Sequence, residues 1–137
     1  TFTARFEPRL VADADRIRAI LANPTAQILD ARPAARFLGQ APEPRPGLRC
    51  GHIPGSTNVP VASLWEGTSL KSETELRSLF QSAGVDLGKP IVTTCGSGIT
   101  ASTLALALGK AGANDLAVYD GSWAEWSALP GAPVSTD

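Results

Sequence analysis

The hydrophobic and polar positions of the chain form alternating helix-like and strand-like blocks. In ADADRIRAILAN, Ile17, Ile20 and Leu21 share one helical face, and Asp13 is placed to cap the first turn. AQILDAR follows as a short apolar run that predicts a buried strand ending at Asp30. The first part of the chain is therefore predicted to be a helix followed by a strand.

The second part continues this alternation. SETELRSLFQSAG has a capping box, Ser72 with Glu75, and Gly84 at its end, so it predicts a helix with both termini marked. KPIVTTC predicts a strand, TASTLALALGKAG a helix, DLAVYDG another strand and SWAEWSAL a last helix. Strands that alternate with helices of about 10 to 15 residues favour an α/β fold, with a central, mainly parallel sheet flanked by helices on both faces.

An irregular loop is predicted for GQAPEPRPGLRCGHIPG, which is rich in proline and glycine, and STNVP after it is predicted to be a short extended segment. Long ordered loops in compact domains are often functional. We find no internal repeat or linker within the chain, so we expect one domain that spans residues 1–137.

Composition narrows the possible partners. The chain has 137 residues, 43% of them hydrophobic, which is enough for one core without disulfides. A net charge of −1 without blocks of like charge gives no reason to expect nucleic acid or membrane as a partner. We see no signal peptide and no apolar run of membrane-spanning length, so a cytoplasmic location is expected. Two separated cysteines and one histidine do not suggest a metal site.

Cys95 stands at the end of a predicted strand in IVTTCGSGITAS, just before the next helix. Free backbone N–H groups and the helix dipole favour negative charge at such a position, so a thiolate there has a lowered pKa and is nucleophilic at neutral pH. Gly96 and Gly98 allow a tight turn in which several N–H groups face one anion. We therefore expect an activated thiol. The competing interpretation is a buried cysteine that merely ends a strand.

We consider three functions for this loop: dinucleotide binding, phosphate transfer and sulfur transfer. GSGITA satisfies the dinucleotide pattern G-x-G-x-x-A and Asp120 ends the next strand, but only seventeen residues follow, too few for the strands such a fold still needs. A cysteine phosphatase needs an arginine soon after the cysteine, and residues 96–102 carry no positive charge. Sulfur transfer needs a thiolate that attacks a donor sulfur and holds it as a persulfide. The amides of loop 95–100 can surround that sulfur without a cationic side chain.

CGSGITA resembles the active-site loop CGSGVTA of the 3-mercaptopyruvate sulfurtransferases of the rhodanese superfamily. DARPAARFLG, PEPRPG, GHIPGSTNVP and YDGSWAEW are similar, in the same order, to stretches of the second, catalytic domain of these two-domain enzymes. The resemblance implies a rhodanese-like domain without metal or organic cofactor. It implies sulfur transfer from 3-mercaptopyruvate, through a Cys95 persulfide, to cyanide or to a thiol such as reduced thioredoxin, with release of pyruvate.

By this resemblance the catalytic residues are Cys95, the sulfur carrier, and Ser97, which hydrogen-bonds the substrate or relays a proton. Arg36 and Arg45 match the two family arginines that hold the carboxylate and carbonyl of mercaptopyruvate. A guanidinium meets a planar carboxylate bidentately, and its charge stabilises the departing enolate. The substrate-binding set is completed by loop residues, namely Gly96, Gly98, Ile99 and Thr100.

For several other residues the sequence gives only weak evidence of a role in the site. Asp30 either orients an arginine or caps the RPAARF segment. His52 lies in GHIPG, which resembles a structural turn of the family, and Trp123 and Trp126 are expected to pack rather than bind substrate. Cys50 is either an inert thiol or a redox partner.

The family pattern also includes an N-terminal rhodanese-like domain that packs over the catalytic one and is absent from this chain. TFTARFEP resembles the end of the interdomain connection, so residues 1–9 are expected to be the remnant of that linker. Thiosulfate-specific members usually carry basic residues after the cysteine, where this chain has Gly96 and Ser97. The alternatives are a thiosulfate:cyanide sulfurtransferase and a non-catalytic rhodanese-like module that binds a partner protein.

Overall fold

A computed structural model describes all 137 residues. The strands are β1 Val11–Ala12, β2 Gln27–Asp30, β3 Thr57–Asn58, β4 Trp65–Glu66, β5 Ser69–Leu70, β6 Ile91–Thr94 and β7 Leu116–Tyr119. The α-helices are α1 Ala14–Ala22, α2 Ala34–Phe37, α3 Glu73–Ser82, α4 Ile99–Lys110 and α5 Ser122–Trp126, and two short 3-10 helices cover Pro8–Leu10 and Val61–Leu64.

The central sheet has five strands in the order β1-β7-β6-β2-β3, and every neighbouring pair in it is parallel. In the register of β2 and β6, Asp30 lies opposite Thr94. The carboxyl ends of parallel strands meet at one edge of a sheet, so the residues after β2 and β6 converge there. The predicted α/β fold with a parallel sheet is confirmed.

Hydrophobic cores lie on both faces of the sheet. Leu29 and Ile91 pack on one side with residues of α3 and α4, whereas their strand neighbours Ile28 and Val92 pack on the other side with residues of α1 and α5. This division follows from the strand geometry, in which successive side chains point to opposite faces. The strands are apolar on both faces because helices cover both, as a parallel sheet requires.

The helix boundaries predicted from capping residues are confirmed. The Asp13 carboxylate accepts a hydrogen bond from the backbone N–H of Arg16 at 2.8 Å. The capping box of α3 is complete, since Ser72 accepts from the Glu75 N–H and Glu75 accepts from the Ser72 N–H. These bonds satisfy backbone donors that the first helical turn leaves unpaired.

Several short elements were not predicted from the sequence, among them strand β1 and the hairpin β4–β5. Strand β1 adds an edge to the sheet by pairing Val11 with Val118, and the hairpin β4–β5 pairs Trp65 with Leu70. Each of these strands is two residues long, which is too short for a period-two pattern to be visible.

The long loop 39–55 contains no helix or strand, as predicted, but it is tied to the C-terminal segment. Arg49 donates to the carbonyl oxygens of Ser127 and Ala132, each at 2.8 Å. His52 pairs with Ser135 through two backbone hydrogen bonds, and its Nδ1 lies 2.7 Å from the carbonyl oxygen of Phe37. The loop therefore has fixed anchors despite its irregular backbone.

Residues 1–7 are exposed and belong to no helix or strand, and a 3-10 helix starts at Pro8. The assignment of residues 1–9 to an interdomain linker stays a prediction. None of the five α-helices combines the length and the apolar character that a bilayer crossing requires.

Candidate active site

Cys95 follows β6 directly and lies at the carboxyl edge of the sheet, and α4 begins at Ile99. The residue is 1% exposed. Its Sγ accepts a hydrogen bond from the Gly98 N–H at 3.0 Å. The sulfur therefore faces the start of α4, where the N–H groups of the first turn have no partner within the helix.

The turn between Cys95 and α4 depends on Gly98, the N-cap of α4, whose φ is +94°. A Cβ at this position would lie 2.7 Å from the carbonyl oxygen of Asp120. A side chain here would both strain the backbone and collide with another backbone segment. The glycine is thus required for the loop to close around the sulfur.

The pKa of the Cys95 thiol is lowered by its surroundings. Burial is the largest single influence and raises the pKa, but the hydrogen bonds to the sulfur together outweigh it. The pKa is lowered by the Thr100 hydroxyl and by the backbone N–H groups of Ala101, Ser97 and Gly98, of which the Gly98 N–H donates to the sulfur at 3.0 Å. Hydrogen bonds to the charged form favour that form, so the site stabilises a thiolate.

The outer side of the loop is fixed by the segment after β7. The Cys95 N–H donates to the Ser122 hydroxyl oxygen at 3.1 Å, and that hydroxyl donates to the Tyr119 carbonyl at 2.8 Å. The N–H groups of Trp123 and Ala124 donate to the carbonyls of Cys95 and Gly96, both at 2.9 Å. Ser122 is fully buried and has a φ of +53°, a conformation that is uncommon for serine. The loop is therefore held by two backbone N–H groups of this segment and by the Ser122 hydroxyl.

A cavity of about 420 Å³ opens in front of Cys95. Six of the eight residues predicted for the site line it; they are Arg36, Arg45, Cys95, Gly96, Ser97 and Thr100. Gly98 is buried and donates its N–H to the sulfur, whereas Ile99 is 76% exposed. These two residues do not line the cavity, and their assignment to the substrate-binding set stays a prediction.

The arginine side of the cavity is a network of charged residues. Asp30 accepts three bonds from the Arg32 guanidinium, at 2.7, 3.0 and 3.1 Å. Arg32 also donates to Glu43 at 2.8 Å, and Glu43 accepts from Arg36 through its other oxygen. Bidentate and charge-assisted bonds of this kind are strong and geometrically specific. The network holds Arg36 in place at the cavity wall.

Arg36 reaches the cysteine loop itself. A Cβ built on Gly96 would lie 2.8 Å from Arg36 Nη2, so the guanidinium lies directly against the loop backbone. Residues 96–102, which follow Cys95, carry no positive charge, yet the Arg36 guanidinium contacts this loop from α2. Arg45 is exposed and lines the same cavity from the long loop.

The structure shows the contacts of Asp30 and of the two tryptophans. Asp30 pairs with Arg32 and does not cap α2, whose N-cap is Pro33 without a side-chain bond. Trp123 and Trp126 are buried and donate their indole N–H groups to backbone carbonyls, as expected for packing residues.

His52 and Cys50 do not line the cavity. His52 is buried and stacked on the ring of Phe37, with 3.6 Å between ring centroids. Cys50 is exposed, and its redox role stays a prediction. The structure contains no group of three or more acidic, histidine or cysteine side chains that could hold a metal ion.

Two residues of the network were missed by the sequence analysis. Arg32 is 1% exposed and packs over the Trp123 ring at 4.6 Å from the ring centroid, and the Glu43 side chain is 2% exposed. Their sequence signals were weak: Arg32 lies two residues after a predicted strand end, and Glu43 is an acid within a proline-rich loop. The contact between Arg32 and Glu43 is not visible in the sequence, because the loop 39–55 brings these two residues together.

Comparison with known proteins agrees with this geometry. The sequence model described as "Rhodanese-like domain" matches residues 13–129. The chain is 46% identical to the 3-mercaptopyruvate sulfurtransferase of Escherichia coli K12, over 97% of its own length and 47% of that protein. It is 44% identical to the mitochondrial thiosulfate/3-mercaptopyruvate sulfurtransferase 1 of Arabidopsis thaliana, over 99% of its own length and 36% of that protein.

A solved structure is similar in fold as well. The chain matches the sulfur transferase subunit of yeast mitochondrial complex I with a TM-score of 0.86 and 37% identity, covering 98% of this chain and 48% of that one. The chain therefore spans half or less of the length of these proteins. The match over residues 13–129, together with the parallel sheet and the position of Cys95, shows that the chain belongs to the rhodanese-like domain family.

Proposed function

We propose that this domain is the catalytic domain of a 3-mercaptopyruvate sulfurtransferase. One observation carries the proposal: a cysteine with a lowered pKa lies at the base of a cavity whose wall carries Arg36 and Arg45. Such a cavity offers a sulfur nucleophile and cationic groups for an anionic donor. The names of the similar proteins from Escherichia coli and Arabidopsis thaliana support the same chemistry.

The donor fits the charges of the cavity. 3-Mercaptopyruvate has one planar carboxylate next to a ketone, and a guanidinium can bind such a group through two parallel hydrogen bonds. Arg36 and Arg45 approach the cavity from α2 and from the long loop, so they can hold the carboxylate and the ketone oxygen while the thiol faces Cys95. Ser97 is exposed at the cavity and supplies a hydroxyl for the same donor.

The first half-reaction transfers sulfur to the enzyme. The Cys95 thiolate attacks the donor sulfur, so an S–S bond forms while the donor C–S bond breaks and its electron pair goes to carbon. The product at carbon is the enolate of pyruvate, which takes up the proton that the donor thiol loses. The sulfur is oxidised to the sulfane level and the carbon is reduced to a methyl group. Arginine charge beside the ketone oxygen stabilises the enolate and lowers the barrier.

The second half-reaction regenerates the enzyme. A thiolate acceptor attacks the outer sulfur of the Cys95 persulfide and leaves with it, so Cys95 returns as a thiolate. Reduced thioredoxin is the kind of acceptor we propose, and cyanide serves the same role in an assay. The proposal includes an N-terminal rhodanese-like domain as a partner in the whole protein. A cytoplasmic location stays a prediction, and the Arabidopsis relative is named as mitochondrial.

Thiosulfate is the competing donor, because the name of the Arabidopsis relative includes it. Steady-state kcat/KM for the two donors, with cyanide as acceptor and Cys95→Ser as control, decides between them. We expect the larger kcat/KM for mercaptopyruvate, with stoichiometric pyruvate release that disappears in Cys95→Ser. A larger kcat/KM for thiosulfate would contradict the donor assignment. Binding of a partner protein without turnover of either donor would favour the non-catalytic module.

A further inference from the structure

We propose that Glu43 determines donor selectivity by setting the charge of the cavity. Its carboxylate is 2% exposed and joins two guanidinium groups, those of Arg32 and Arg36. Glu43 lines the cavity but is not a nucleophile or an acid–base group in the proposed reaction. It is therefore a specificity residue that acts through its arginine partners.

In the charged network beside the cavity, each buried carboxylate can be assigned to one arginine. Arg32 is fully buried and its charge is matched by Asp30, which accepts three of its hydrogen bonds. Glu43 is then the counter-charge of Arg36, whose side chain is 22% exposed toward the cavity. Arg45 remains as the one cation at the cavity without an acidic partner.

One unmatched positive charge suits a donor with one negative charge, such as the carboxylate of mercaptopyruvate. Thiosulfate carries two negative charges and would need a second unmatched cation for the same electrostatic balance. Charges act over longer distances and more strongly in a partly buried cavity than in water. The Cys95 thiolate adds the same charge whichever donor binds, so the difference between donors depends on the arginines and Glu43.

The position of Arg36 makes this charge effective at the reacting atom. Its Nη2 lies 2.8 Å from where a Cβ of Gly96 would be, so it contacts the residue that follows Cys95. Glu43 accepts from both Nε and Nη2 of Arg36, which fixes the plane of the guanidinium. Loss of the Glu43 charge would leave a cation with no acidic partner beside the nucleophile.

The test measures cavity charge separately from sulfur transfer. In a Cys50→Ser background, Cys95 is alkylated with iodoacetate, which is an anion, and with iodoacetamide, which is neutral. The ratio is the rate with iodoacetate divided by the rate with iodoacetamide. We expect Glu43→Gln to raise this ratio by roughly three- to tenfold. The matched control is Glu73→Gln, which removes the same charge from an exposed pair with Arg77 on α3 and should leave the ratio unchanged.

Two further variants keep the test decisive. Glu43→Asp retains the charge, so its ratio should stay within about twofold of the parent; a ratio as high as that of Glu43→Gln would overturn the inference. Arg36→Gln should lower the ratio. When Arg36→Gln is already present, adding Glu43→Gln should change the ratio less than it does in the protein with Arg36, because the two side chains act as a pair. Arg36→Gln also tests the inference if Glu43→Gln does not fold, since an unchanged ratio would overturn it.

The part of the test that compares the two sulfur donors rests on the proposed function. Glu43→Gln should raise the ratio of thiosulfate to mercaptopyruvate kcat/KM by roughly three- to tenfold. An unchanged alkylation ratio overturns the charge assignment whatever the donors do. If the parent protein accepts sulfur from neither donor, the proposed function fails, and the alkylation ratio alone still decides whether Glu43 sets the charge.

Discussion

The two loops that form the cavity are built in different ways. The loop 95–98 is short, and backbone groups hold it: the Gly98 N–H contacts the sulfur, and the N–H groups of Trp123 and Ala124 bind its carbonyls. The loop 39–55 is long, and side-chain charges hold its functional end, where Glu43 joins two arginines. The short loop holds the sulfur nucleophile, and we propose that charges on the long loop influence which donor is used.

This difference predicts different responses to mutation. A backbone-held loop depends on conformation, so a small steric change in it should affect every reaction of Cys95. A charge-held loop depends on individual side chains, so a change there should affect charged donors and spare neutral reagents. Alkylation by iodoacetamide and turnover of mercaptopyruvate separate the two effects.

The largest effect is expected for Gly98→Ala. The new Cβ would lie 2.7 Å from the Asp120 carbonyl oxygen, and φ is +94°, so the loop must shift and the bond from the Gly98 N–H to Sγ is lost. A strained backbone position costs on the order of 1–3 kcal/mol. Alkylation of Cys95 by iodoacetamide and turnover of mercaptopyruvate should both fall by about a hundredfold.

Gly67→Ala is the matched control, since Gly67 also has a positive φ, +59°, but has open space around it in the hairpin. We expect it to lower stability by about 1 kcal/mol and to leave Cys95 reactivity unchanged. Similar losses of reactivity in both proteins would show that the collision at Gly98 is not what matters.

An intermediate effect is expected for Arg36→Ala. Loss of a charged hydrogen bond to the donor carboxylate should cost on the order of 1–3 kcal/mol, and kcat/KM for mercaptopyruvate should fall accordingly. Iodoacetamide alkylation should change little, because that reagent is neutral. Arg77→Ala on α3 is the control cation, and a wild-type kcat/KM in Arg36→Ala would remove Arg36 from the donor site.

The smallest effect is expected for Thr100→Val. The Thr100 hydroxyl stabilises the thiolate, so its removal should raise the pKa of Cys95 from its lowered value. The pH profile of iodoacetamide alkylation should move to higher pH, by up to about one unit, and the thiolate fraction below that range should fall up to about tenfold. Thr103→Val, one turn further along α4, should keep the parent profile. Coincident profiles for all three proteins would contradict the role of Thr100.

The sequence was most informative where contacts are local. The capping box at Ser72 and the strand-to-helix turn at Cys95 each lie within a few residues, so their residue types are sufficient to predict them. Two-residue strands such as β1 show no periodicity and depend on pairing with distant strands. The bonds from Arg32 and Arg36 to Glu43 depend on how the long loop folds back, which no local pattern records. Arg36 and Arg45 were predicted only through the resemblance to a family.

The role of Cys95 as sulfur carrier is tested most directly by the intact mass of the chain after a single exposure to 3-mercaptopyruvate, with pyruvate release followed in the same sample and Cys95→Ser as control. We expect a gain of one sulfur atom, one pyruvate released per sulfur gained, and neither event in Cys95→Ser. A gain of sulfur that persists in Cys95→Ser, or pyruvate release without any gain, would contradict the assignment of Cys95 as the sulfur carrier.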